Sequence, residues 1–566
     1  MTAFFSAHLA ILPVLLPAFT AMLLLLIGDH GSTSHAGPGQ GKLRWARIVS
    51  LASSALLLLL AARLALQADD GALEVYRLGD WPAPFGIVLV IDRLSALMLV
   101  LTACIALPVL VYASGGWDSQ GRYFHALFQF QLMGLNGAFV TGDLFNLFVF
   151  FEVLLIASYA LVLHGQGRER FRVGVHYVVL NLAASVLFLV GVALIYALTG
   201  TLNLADLALR VPEVDGPEAA VLQVAGLILL VVFGFKAAIM PLSMWLPATY
   251  AAASAPVAAL FAIMTKVGVY AIVRVHGVVF GADGGGAVGA AGATNVDAAA
   301  AAATAGATTA GAAAAATAFS VGSLLLPLAL VTSVVAVLGA LAARTLPRLV
   351  AWLTVVSVGT VLTALGVQGA AAWSAGLYYL AQSTLVLAGM FLLSELVGAQ
   401  RGDVADELDP ASPVAQPQLL GLMLLLGAAS VAGLPPLPGF IGKLMILEAS
   451  ASHAWVAVVW IVLLGVGFLT LIGLARAGSI LFWNVRTELP ICSNSGASPR
   501  LVLATLALLG SAVAMSVFAA PLQRYTAAAA LQLTDRAGYA RAVLGEQDGQ
   551  VPDTTRPYRI VPGAPR

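Results

Sequence analysis

The sequence predicts an all-α polytopic membrane protein, with about fourteen transmembrane helices that include two inverted five-helix repeats and two broken helices. Three observations carry this. Of 566 residues, 60% are hydrophobic and only 10% charged, against roughly 45–50% and about 25% in soluble domains. The apolar residues fall in long continuous runs, which excludes the alternating ten-residue pattern of a membrane β-barrel. Lysines, finally, sit inside two of those runs next to prolines.

A spanning helix needs roughly 17–25 mostly apolar residues. Such runs lie near 11–27, 48–66, 94–112, 124–141, 144–163, 175–198, 222–240, 255–275, 322–341, 349–368, 374–397, 418–434, 456–475 and 501–518, with Phe440–Leu447 the candidate second half of the twelfth. The start has no basic residue before its apolar run, so the first segment is expected to remain as a helix. Residues 281–318 are almost all Ala, Gly and Thr and read as a low-complexity loop insert. The expected organisation is a three-helix segment (1–123), a first repeat (124–276), the insert (277–321), a second repeat (322–476), and a last helix with a polar tail (477–566).

Basic residues in short loops orient the chain. Lys42, Arg44 and Arg47, then Arg168, Arg170 and Arg172, then Arg344 and Arg348, then Arg486 and Arg500 follow odd-numbered spans. Those loops are expected in the cytoplasm and both termini outside, although the six arginines after residue 520 pull the other way. Net charge is zero, so nucleic acid has no electrostatic footprint to bind. Cys104 and Cys492 are too few for a disulfide scaffold, a zinc site or an iron–sulfur cluster. Phosphate-loop, dinucleotide and metal-ligand patterns are missing from the sequence. Neither an enzyme, a cofactor nor a metal is expected.

The basic residues divide unevenly. Only Lys42, Lys236, Lys266 and Lys443 are lysine and the other 23 are arginine, yet three of the four lysines lie in VVFGFKAAIMPL, FAIMTKVGVYA and PGFIGKLMIL. A charge at mid-bilayer costs roughly 2.5–3.5 kcal/mol, so three cost on the order of 8–10 kcal/mol. Arginine keeps its proton, whereas a desolvated lysine can release it. The distribution therefore points to titratable amines within the membrane. The competing reading is that each lysine snorkels to an interface or pairs structurally. Glu152, midway along the fifth span in DLFNLFVFFEVLLIASYAL, is the candidate carboxylate that modulates a lysine; a structural ion pair is the alternative.

Pro241 and Pro247 follow Lys236, and Pro435, Pro436 and Pro438 precede Lys443. Proline interrupts the helical ladder, and irregular backbone at membrane depth is tolerated only where it is buried or lines water. Interrupted helices at corresponding places in two halves mark inverted-repeat transporters. His276 is a candidate relay, although a lone histidine near a helix end is usually interfacial. Asp143 reads as a helix cap. Glu395 and Glu448 lie near span ends; Arg63, Asp92 and Arg93 read as interfacial; Trp245, Trp352 and Trp373 read as belt aromatics.

These motifs resemble the antiporter-like subunits shared by multisubunit cation/proton antiporters of Mrp, Mnh or Pha type and respiratory complex I. The resemblance covers about residues 85–480. GDLFNLFVFFEVLLIASYALV carries Glu152; the block from Phe233 to Val275 carries Lys236 and Lys266; LPRLVAWLTVVSVG matches the start of the tenth span; GLPPLPGFIGKLMILEA carries Lys443. The resemblance implies a string of protonatable residues in which Glu152 modulates Lys236, Lys266 links and Lys443 exchanges with one side. It implies partner membrane subunits in a bacterial cell membrane, and uptake of H⁺ against export of Na⁺ or K⁺. One departure stands out: where the family commonly has LYYLxHSTLV, this chain has LYYLAQSTLV, placing Gln382 at the histidine position. A water or another group would then serve there, or the second half-channel is altered. A proton-pumping subunit of complex I or of a membrane hydrogenase is the alternative assembly. The 48 or so residues after the last span lack the long lateral helix of the largest complex I type. A purely structural subunit would be indifferent to neutralising the lysines.

Overall fold

The computed structural model describes residues 8–28, 39–281, 321–486 and 496–545. The expected Ala/Gly/Thr insert from 282 to 320 and the tail beyond 545 lie outside the described residues. Helices α1 (Leu12–Ile27) and α2 (Gly39–Asp69) come first, followed after a hairpin by α3 (Arg93–Ala113), α4 (Phe124–Val140), α5 (Leu144–Val162) and α6 (Arg168–Thr199). A short α7 (Leu204–Arg210) leads to α8 (Gly216–Ala237), α9 (Trp245–Ala252), α10 (Ala255–Phe261) and α11 (Met264–Ala271), which widens into a π-helix over Ile272–Val279. After the insert come α12 (Val321–Leu341), α13 (Leu346–Val367), α14 (Ala370–Gly398), α15 (Pro417–Ala432), α16 (Pro438–Ala449), α17 (Val456–Gly478) and α18 (Pro499–Val517), then α19 (Ala519–Thr534) and α20 (Arg536–Leu544).

Twelve helical segments among the described residues are long and apolar enough to cross a membrane, and Pro417–Ala432 is a shorter apolar helix. The chain is a multi-pass helical membrane protein. Segments Ala255–Val279, Leu346–Val367 and Ala370–Gly398 are enclosed by the others, whereas Arg168–Thr199 and Val456–Trp483 turn much of their apolar surface outward. α12 packs along α13, and α13 along α14; α6 packs along α8, and α8 along α11.

Three features depart from the sequence reading. The chain is not purely helical: Glu74–Arg77 and Val88–Ile91 form an antiparallel hairpin with Val75 opposite Val90, built from β-branched residues outside the spans. The last segment is not simply a polar tail, because α19 and α20 fold back and bury Tyr539 and Val543. Asp92 is not interfacial. It is 2% exposed and meets Arg274, equally buried, through two bonds of 2.6 and 2.8 Å. Asp92 also caps α3 through the Ser95 amide at 2.8 Å, so one carboxylate satisfies both a helix start and a guanidinium.

Removing one partner of such a pair leaves a bare charge inside the protein. Asp92→Ala is therefore expected to destabilise the chain by about 3–5 kcal/mol, read as a lowered Tm in detergent; an unchanged Tm would mean that Arg274 finds another partner. In the loop between α3 and α4, Asp118 accepts from Arg47 at 2.5 and 2.7 Å and faces His125 at 3.1 Å. Burial alone would push its carboxyl up, but these two partners overcome that and hold it below the usual carboxylate range. A carboxyl lowered on folding adds stability above its unfolded value of about 3.9 and loses that contribution as pH falls through the folded value. Protection of the Trp117–Ser119 amides, taken relative to their intrinsic exchange rates, is expected to fall in acid in the native chain, and Asp118→Asn to show low protection already near neutral pH.

Candidate functional site

α8 ends where sequence required an ending. Ala238 takes a left-handed conformation (φ 63°) and its amide reaches back to the carbonyl of Phe235 at 3.0 Å. Residues 238–244 then run as turns before α9 begins. Pro241 lies in this interruption, whereas Pro247 does not: it is in the first turn of α9, where a missing amide costs nothing. Trp245, expected at a membrane interface, is 3% exposed and donates its indole N–H to the Phe235 carbonyl at 3.2 Å. It supports the break from inside. The Met240 amide, freed by the same interruption, is taken by Thr332 Oγ1 of α12 at 3.0 Å, so the first break is tied to the second half of the chain.

Lys236 sits on the last turn of α8, 6% exposed. Its ammonium donates to Asn181 Oδ1 at 3.0 Å and lies 6.0 and 5.9 Å from the ring centres of Phe151 and Phe235, positions from which a ring face attracts a cation. Glu152, beside Phe151 in sequence, is half-buried. Its carboxylate accepts a short bond from Ser185 and makes no direct ion pair with Lys236. Both contacts go to α6, since Asn181 and Ser185 are four residues apart on one face. Sequence reasoning named Glu152 and Lys236 but missed these two. The available signal was their spacing: two polar residues one turn apart in HYVVLNLAASVLF.

Lys266 is fully buried and donates to Ser357 Oγ of α13 at 2.9 Å. Its helix is less regular than the sequence suggested. The ladder slips at Ala262 and Ile263, which bond three residues back at 3.3 Å, and α11 then opens into the π-helix. Such irregular turns concentrate at functional places. Arg274 in the π-helix was also missed, although a second cation within one apolar run was visible in KVGVYAIVRVHG. His276 hydrogen-bonds the Gly226 carbonyl at 3.0 Å and stacks on Phe280. The structure brings it against α8 ten residues before Lys236, about 15 Å along a helix rising 1.5 Å per residue, and to none of the lysines.

In the second half, α15 ends at Gly433 (φ 86°) and α16 begins at Pro438. Pro435 and Pro436 fill the connection, and Pro438 starts the new helix. Lys443 is half-buried, and its ammonium donates to the carbonyls of Ala432 at 2.7 Å and Val431 at 3.2 Å. These are the unpaired acceptors at the negative end of α15, where a cation is favoured. Lys443 also lines a cavity of about 230 Å³ with Phe440, Leu463 and Phe468. The start of α16 passes so close to α15 that a Cβ at Gly439 would lie 1.8 Å from the Ser430 carbonyl oxygen. Gln382 of α14 meets this crossing: its Oε1 accepts from Ser430 Oγ at 3.2 Å, and its Nε2 has no partner among the described residues. The structure thus gathers Gln382 and Lys443 at the second break, with Lys236 at the first and Lys266 facing α13 between the halves.

Among the described residues no group of three His, Cys, Asp or Glu side chains is placed to hold a metal ion. What the two breaks and α11 present is enclosed amines held by neutral acceptors. Gly433→Ala is expected to impose the left-handed penalty of about 1–2 kcal/mol and to push against the Lys443 ammonium, 3.2 Å from the added carbon. A lowered Tm is the expected result; an unchanged Tm would show that the connection adapts to the added carbon.

The chain matches the family described as NADH:quinone oxidoreductase/Mrp antiporter, TM, over residues 141–286 and 296–470. It is 38% identical over 572 residues to the D-type subunit of a probable K(+)/H(+) antiporter of Rhizobium meliloti (strain 1021), covering 95% of this chain and 97% of that one. It is 34% identical over 544 residues to the D-type subunit of the Na(+)/H(+) antiporter of Alkalihalophilus pseudofirmus, covering 95% and 100%. A chain in the solved structure of the Mrp complex from Dietzia sp. DQ12-45-1b matches with a TM-score of 0.80 at 26% identity, covering 95% of this chain and 99% of that chain. The chain therefore belongs to the family of transmembrane subunits common to NADH:quinone oxidoreductase and the Mrp antiporters.

Proposed function

We propose that this chain is the D-type, proton-translocating subunit of a multisubunit monovalent cation/proton antiporter, carrying H⁺ along Glu152, Lys236, Lys266 and Lys443 while the assembly exports Na⁺ or K⁺. The observation that carries this reading is the company each amine keeps. Lys236 and Lys266 each have a single neutral side-chain acceptor, and Lys443 has only backbone carbonyls. None is locked by a carboxylate, so each is free to lose its proton and regain it. Glu152, on α5, is held by Ser185 of α6, the helix that also carries the acceptor of Lys236, and sets how readily that amine keeps its charge. Gln382 orients the second break without exchanging a proton. His276 stays outside the string.

In this reading α4 and the α15–α16 pair complete fourteen spans with the twelve long ones. Residues 124–276 and 322–476 form the two inverted repeats, preceded by 1–123 and followed by 477–566. The arginine-rich loops lie in the cytoplasm of a bacterial cell and both termini outside. Other membrane subunits cover part of the apolar surface and lipid the rest. Relatives bearing antiporter names over nearly the whole chain favour this assembly over a complex I or hydrogenase one.

Lys236→Ala in the assembled complex is expected to cut cation-driven proton movement in inverted vesicles by about 10²-fold or more, the contribution of a positioned acid–base group. Lys236→Arg keeps the charge but not the titration and should fail equally. Glu152→Gln should also fail. Normal assembly with wild-type exchange in the lysine variants would sink the reading.

A further inference from the structure

Away from the lysine string, a half-buried carboxylate has an enclosed oxygen to spare. Glu395, near the end of α14, accepts the Trp117 indole N–H on Oε1 at 2.5 Å, while Oε2 has no partner among the described residues. The side chain lines a cavity of about 500 Å³ shared with Trp117, Arg170, Tyr250, Ser254 and Asp406. Ser254, 1% exposed at the joint between α9 and α10, also has an unpartnered hydroxyl there. Two enclosed oxygens, Glu395 Oε2 and Ser254 Oγ, without a partner among the described residues thus belong to side chains that line one space.

The walls are fixed. Arg170 Nε donates to the Ala252 carbonyl at 2.9 Å and Nη1 to His164 at 3.1 Å, and its guanidinium lies 5.1 Å from the Trp117 ring centre. The charged and titratable groups around Glu395 are Arg170, Asp406, Tyr112 and, behind Trp117, His164. Arg170 and Asp406 cancel, so an ionised Glu395 leaves one net negative charge and a protonated one leaves none. From the same cavity Tyr250 donates to the Phe261 carbonyl at 2.8 Å, at the slip in the helix five residues before Lys266. Arg170 and Pro347, which line the space, lie in the first turns of α6 and α13, beside the basic connections after α5 and α12.

We propose that this cavity is the proton intake from the side of the basic loops, with Glu395 as first acceptor. Its carboxylate takes H⁺ from a hydronium ion and releases water. The resulting carboxylic acid gives the same H⁺ along the Tyr250 wall to the neutral amine of Lys266, restoring the carboxylate and forming the ammonium. The inference rests on the proton-string reading above and adds to it the place where the string meets water.

The test uses the assembled complex in vesicles. Glu395→Gln is expected to lower cation-driven proton exchange at least about tenfold, and Glu395→Asp to restore part of it with a displaced pH profile. Lys236→Ala is run beside them. Exchange lost in Lys236→Ala but wild-type across the pH profile in Glu395→Gln overturns the intake and leaves the string standing; wild-type exchange in both removes the string itself. A uniform loss in Glu395→Asp with an unmoved profile marks a structural carboxylate and also overturns the proposal. A second readout does not depend on turnover. With Cys104 and Cys492 replaced by serine, Ala253→Cys is exposed to a membrane-impermeant trimethylammonium thiosulfonate from either side. Labelling from the basic-loop side alone is expected; labelling from the other side, or from neither, refutes the intake.

Discussion

The constraint on which this fold turns is that an ammonium group taken out of water must find an acceptor, and that the kind of acceptor decides what the amine can do. A carboxylate in contact would pin the charge, because breaking such a pair in a low-dielectric interior is costly. The lysines here have an asparagine, a serine and two main-chain carbonyls instead. Arg274 shows the contrast within the same protein. It cannot give up its proton, and it has been given a full counter-charge in Asp92. The enclosed lysines have neutral partners, whereas Arg274 has an anion.

The helix interruptions follow from the same requirement. A continuous helix spends every carbonyl on its own amides, and only its ends have some to spare. Ending α15 at Gly433 frees the carbonyls that hold Lys443, and ending α8 at Ala237 frees the Phe235 carbonyl for Trp245 and the Met240 amide for Thr332. Broken helices at membrane depth are thus a supply of polar groups without polar side chains. Thr332 lies on α12 and Ser357 on α13, so the second half of the chain completes what the first half leaves open.

Much of this was legible from residue types. Spans came from long apolar runs, breaks from proline beside lysine, and the enclosure of Lys236 and Lys266 from lysines that avoid the loops. What could not be read was pairing across sequence distance. Asp92 and Arg274 are 182 positions apart, and each alone looks like a surface charge near a helix end. Trp245 looked like a belt residue because tryptophan often is one; only the carbonyl freed by the nearby break explains its burial. Pro247 illustrates a subtler limit: a proline tells that an amide is missing, not whether the ladder wanted it. The hairpin before α3 is built from four-residue strands, too short to stand out among long apolar runs.

α6 brings together consequences that its sequence hides. Asn181 and Ser185 lie a single turn apart, so the helix presents the lysine's acceptor and the carboxylate's donor as one rigid edge. A turn of α6 about its axis would withdraw both partners together, so in the proposed string the amine's acceptor and the acid's donor travel as one.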